Sequence, residues 1–176
     1  MRIRHKALIC AMVGTLILTS GCGVIPSTTQ PQPTATETPE PTPATASSEG
    51  AVANVVSVEV DGKSGAYTFT VGIRSPDQGC EQYADWWEIV SEDGELVYRR
   101  ILLHSHVDEQ PFVRSGGPVQ VGPGTTVWVR AHMHPTGYGG QVFEGSVQAG
   151  FAPAEMPASL GSALAGQPPL PDSCAF

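Results

Sequence analysis

The chain has little positive charge. Nine Lys and Arg stand against seventeen Asp and Glu in 176 residues, a net charge of -8. Three of the nine, Arg2, Arg4 and Lys6, crowd the first six positions. The rest of the chain is strongly acidic. That argues against nucleic acid as a partner, because phosphates are held through Lys and Arg. It also argues against a basic patch that would attract anionic lipid. The negative surface serves solubility. Long apolar runs are scarce too. Ala7 to Leu18 is a charge-free run of twelve residues, short of the roughly 20 that a membrane-crossing helix needs. There is no Gly-x-Ser-x-Gly elbow, no phosphate-binding P-loop and no His-Glu-x-x-His pair. No long stretch carries a 3.6-residue apolar period, so a helical domain is not expected.

What is present begins with an address. The basic start and the apolar run have the layout of an export signal. Leu18-Thr19-Ser20-Gly21-Cys22 closes that run with small residues and a cysteine. These 22 residues resemble the signal of bacterial lipoproteins. The resemblance implies removal of residues 1–21, a diacylglycerol thioether on Cys22 and an acylated (palmitate-type) new amino terminus. The implied location is the cell envelope, with the membrane contacted through lipid. More than one acyl chain would hold firmly, since a single chain binds only marginally.

Residues 23–50 carry six prolines among Thr, Ser, Gln and Glu, and no aromatic residue. Such a segment cannot bury enough apolar area to offset the entropy of ordering. Its Thr-Pro and Glu-Pro steps favour extended conformations, so residues 22–50 read as a lipidated cysteine followed by a spacer. The four cysteines then sort themselves. Cys10 leaves with the signal and Cys22 takes the lipid. Cys80 and Cys174 remain as an even pair in an oxidising compartment, and we expect them to be disulfide-bonded. Two free thiols acting as metal ligands are the alternative, without a supporting Cys-x-x-Cys spacing.

From Ala51 the texture becomes that of strands. Val56, Val58 and Val60 alternate with polar residues, and Asp61-Gly62-Lys63-Ser64-Gly65 is a turn. Tyr67, Phe69, Val71 and Ile73 then alternate with Thr68, Thr70 and Gly72. Together they predict a hairpin with one buried face. Further strands are expected at Asp85–Val90, at Glu95–His106, near Val119–Val121, at Thr125–His134 and at Gln141–Gln148. Residues 107–117 read as irregular. Trp86 and Trp87 are neighbours and should face opposite ways, one into the core and one outward or under the tail. About seven short strands in residues 51–150 predict an all-β fold, an antiparallel β-sandwich of immunoglobulin or fibronectin type. A small barrel is the alternative. Residues 151–176 read as an irregular tail, with a short helix at Pro157–Ala165, pinned to the domain by the disulfide.

The chemistry-bearing pattern is a pair of His-x-His triplets. His104, His106, His132 and His134 are all the histidines beyond the signal. Residues two apart on a strand share a face, and neutral imidazole suits Zn or Cu. If the two strands approach each other, four ligands converge, with Asp85, Asp108 or Glu109 holding a tautomer. The competing reading is four exposed polar residues near loops. His104-Ser105-His106-Val107-Asp108-Glu109 also looks like the His-x-His-x-Asp-His motif of metallo-β-lactamases, with Glu109 in place of the last histidine. That resemblance implies a metal-dependent hydrolase, but one whose flanking helices this pattern lacks. Trp128 and Arg130 are expected on the same outward face as His132. With Tyr138 and the loop residue Arg114 they make a candidate binding surface. The expected function is a non-catalytic binding module on a lipid anchor, its ligand an envelope protein, a glycan or a metal. Metal storage or transfer ranks second and metal-dependent hydrolysis third.

Overall fold

The computed structural model describes residues 50–175. The stretches expected to be a signal, a lipidated Cys22 and a spacer fall on residues 1–49, outside the described residues. Eight strands follow one another: β1 Asn54–Lys63, β2 Ala66–Arg74, β3 Tyr83–Ser91, β4 Leu96–Ile101, β5 Phe112–Val119, β6 Val127–His134, β7 Val142–Ser146 and β8 Gly150–Ala154. They form two sheets, ordered β1-β2-β5 and β4-β3-β6-β7-β8. Every neighbouring pair is antiparallel. Two separate sheets rule out the barrel. Among the described residues no helix is long and apolar enough to cross a membrane.

The inner faces meet in one core. Val55, Phe69, Val71, Ile73 and Phe112 come from the three-stranded sheet, and Trp87, Ile89, Val129, Met133 and Phe143 from the five-stranded one. Each large apolar side chain removed from water contributes about 1.5–3 kcal/mol, so this layer carries most of the favourable free energy. The alternation in β2 and β6 put those residues inward, as period-two strands require.

Three boundaries differ from the sequence-based expectation. The strand beginning near Glu95 ends at Ile101, and its continuation to His106 is a loop with a single bridge from His104 to Ala175. The stretch read as irregular contains β5, Phe112–Val119. Gly116-Gly117-Pro118 suggested a loop, yet β5 lies at a sheet edge, where proline is tolerated. Gly116 is needed there, because a Cβ would stand 2.7 Å from the Tyr98 hydroxyl and 2.9 Å from the Trp87 ring. The tail is not irregular throughout. Gly150–Ala154 adds an eighth strand, and the short helix is a 3-10 turn at Ser162–Gly166. Cys80 and Cys174 are disulfide-bonded, with Cα atoms 5.6 Å apart.

Candidate functional site

The five-stranded sheet has a second buried layer. In the ladder Glu88 of β3 is paired with Arg99 of β4 on one side and Arg130 of β6 on the other. Directly opposite residues share a face. One carboxylate is therefore flanked by two guanidiniums on the side away from the core. The Arg99 Nε and Nη2 donate to Glu88 Oε2 at 2.7 and 2.5 Å. The Arg130 Nε donates to Oε1 at 2.8 Å, and the Tyr138 hydroxyl donates to the same oxygen at 2.8 Å. Glu88 is 0% exposed, Arg99 6% and Arg130 5%.

The residues from 156 to 171 cover this cluster. Arg99 Nη2 donates to the Leu164 carbonyl, and Nη1 donates to those of Gln167 and Pro169. Arg130 Nη2 donates to the Gly161 carbonyl at 2.7 Å. Leu164 packs on Val90 and Trp128, with Met156 and Leu160 beside them. Burying charge is expensive unless partners replace water; here the replacements are one carboxylate and a row of backbone carbonyls. Arg130 also lies 3.6 Å over the Tyr138 ring, and Arg99 4.4 Å over Trp86. Burial and the Glu88 charge push the Tyr138 phenol up to about 12, so it stays a donor at physiological pH.

Beside this cluster is a cavity of about 760 Å³, bounded by Arg130, Tyr138, Val142, Ala154, Met156 and Ala158 among others. A second, more open hollow of about 410 Å³ lies between the strand ends and the disulfide. There Asp85, on the bulge of β3, accepts from or pairs with His132 Nδ1 at 2.7 Å. The His132 ring stacks on Trp86 at 3.7 Å. His134 and Tyr83 line the same hollow, with ring centres 5.9 Å apart. Burial raises the Tyr83 phenol, and the charges of Asp85 and Asp77 add to it.

The two histidine pairs do not converge. Only His132 and His134 lie on a strand, β6; β4 stops at Ile101, so His104 and His106 fall in the loop that follows it. His104 sits in the loop at the Ala175 bridge, and His106 turns inward to stack on Phe112 at 3.8 Å. Among the described residues no three His, Cys, Asp or Glu side chains are grouped to hold a metal ion. The shared four-histidine centre is thereby corrected. The His106 ring is buried, with its Nδ1 unpartnered and 3.8 Å from Asp77 Oδ2. Burial lowers its pKa first, Arg114 lowers it further, and Asp77 opposes the shift.

Of the four residues expected to form an exposed binding surface, Trp128 and Arg130 are covered by the tail, at 8% and 5% exposure. Tyr138 stays with Arg130 and is half-buried. Arg114 belongs to β5 in the other sheet, where it pairs with Glu109 at 2.8 Å. Asp77 was not singled out from the sequence, yet it organises the loop before β3. It accepts from the Ser75 hydroxyl and from the backbone N–H groups of Ala84 and His106. A lone Asp after proline gives no pattern that marks this role.

A protein of Halomicrobium mukohataei named "Putative lipoprotein" is 41% identical to this chain over 100 residues, 56% of this chain and 49% of that protein. The chain thus spans about half the length of the curated relative it matches. No family model matches, and no solved structure does.

Proposed function

We propose that the protein is a lipid-anchored envelope protein presenting a non-catalytic β-sandwich binding module on a Pro/Thr-rich spacer. The observation that carries the anchor is the run Leu18–Cys22 closing an apolar segment. The name of the half-matching relative agrees with it. The order β1-β2-β5 against β4-β3-β6-β7 supports an immunoglobulin or fibronectin type of sandwich, a scaffold frequent in cell-surface domains. The binding reading rests on the cavity beside Arg130 and Tyr138. It combines apolar walls with a few placed polar groups, as ligand pockets do.

The test is fractionation of cells expressing the full chain and its Cys22→Ser variant. The native chain should sediment with membranes and enter the detergent phase on Triton X-114 partition. The variant should become soluble. Equal membrane retention of both would refute lipid anchoring at this residue.

A further inference from the structure

The cavity beside Arg130 carries a statement about the class of ligand, and it rests on the binding-module reading above. The cluster of Arg99, Arg130 and Glu88 holds two buried cations against one buried anion. Tyr138 stays neutral, and tail residues 156–171 supply carbonyl dipoles but no charged side chain. Within the cluster the guanidiniums outnumber the carboxylate by one, and the other buried acid of β3, Asp85, is taken up by His132.

The spare donor belongs to Arg130. Its Nε and Nη2 are committed at 2.8 and 2.7 Å. Its Nη1 has only the Leu160 carbonyl at 3.4 Å and the Met156 sulfur at 3.9 Å. A charged donor with a good partner sits at about 2.7–2.9 Å. Arg130 lines the cavity, whose other walls include Val142, Ala154, Met156, Pro157 and Ala158. The volume of about 760 Å³ suits a small organic molecule. Glu155, the acid on the lining, is exposed at the rim, where solvent and salt screen it.

We infer that this cavity binds a small organic carboxylate with an apolar body, the carboxylate accepting from Arg130 Nη1 and the body lying against Met156 and Val142. An amine of the same shape would place a cation beside an already positive cluster. An alcohol would leave the spare charge uncompensated.

Hexanoate, hexanol and hexylammonium separate these cases. Each is titrated by calorimetry into the full chain, purified in detergent, and into its Ala158→Trp variant. Ala158 lines the cavity, is exposed and takes no part in the charge cluster, so an indole there narrows the cavity beside Arg130 and Met156 while leaving the cluster in place. Hexanoate should bind at least tenfold more tightly than the other two, and Ala158→Trp should abolish it. Absence of hexanoate binding, or binding that survives in the variant, would overturn the inference. Tighter binding of hexylammonium or hexanol that the variant abolishes would overturn the carboxylate class and keep the module reading. Loss of hexanoate binding in a chain still anchored through Cys22 would leave the anchor intact.

Discussion

The two sheets are built from the same kind of strand and are buried differently. In β2 the central residues alternate: Tyr67, Phe69 and Val71 are buried, Thr68 is exposed and Thr70 half-buried. In β3 eight consecutive residues, Tyr83 to Val90, are buried. The difference comes from the covering tail, which turns the outer face of the five-stranded sheet into a second interior. A strand buried once can spend its other face on polar residues at little cost. A strand buried twice must pair any charge it carries, and Glu88 accepts four hydrogen bonds, while the less costly Trp86 and Trp87 Nε1–H groups go without a partner.

The largest effect should come from freeing the tail. The Cys80–Cys174 bridge spans 94 positions, and loop-closure entropy assigns such a cross-link about 4–5 kcal/mol. Reduction, or a Cys80→Ser, Cys174→Ser double variant, should lower stability by that order in urea unfolding. Amide exchange should rise around Trp128 and Arg130 before it rises in β2. Equal loosening of both sheets would break the comparison.

Next comes Glu88→Ala, which leaves two guanidiniums buried without their carboxylate. Breaking a buried pair typically costs about 3–5 kcal/mol. Thr68→Ala, on the exposed face of β2, should change stability by no more than about 0.5 kcal/mol. Denaturant midpoints of the two variants check the contrast, and similar values would contradict it.

The smallest effect concerns His106, whose backbone N–H is held by Asp77. Its pKa is lowered in the folded chain, so the unfolded chain binds the proton more readily. The neutral ring's contribution is fully present above the unfolded value of about 6.5 and is lost as pH falls below it toward the folded value. His106→Phe keeps the stacking on Phe112 and removes an unpartnered nitrogen. Its stability should fall less than that of the native chain between pH 7 and pH 5, read from thermal midpoints. An identical pH slope would show that His106 does not contribute.

How much of this was legible in the sequence follows from the same contrast. The inward set Val127, Val129, Ala131 and Met133 and its partner set Trp128, Arg130 and His132 could be read from alternation, and both sets are where the period placed them. The disulfide followed from cysteine arithmetic. What could not be read is that the second set is covered. The tail holds on through backbone carbonyls, which every sequence possesses, so its Pro- and Ala-rich composition announces nothing. The separation of the histidine pairs was equally hidden, because it depends on β4 stopping at Ile101 and on His106 turning in against Phe112 of β5. Strand neighbours are a property of the folded sheet and leave no mark on either strand alone.

The proposed lipid anchor at Cys22 is the claim on which the cellular role depends. Intact-mass analysis of the protein extracted from membranes tests it most directly. The account predicts a chain beginning at Cys22 and carrying the added mass of a diacylglycerol thioether and an amide-linked acyl group. A chain that retains residues 1–21, or a Cys22 without added mass, would contradict it.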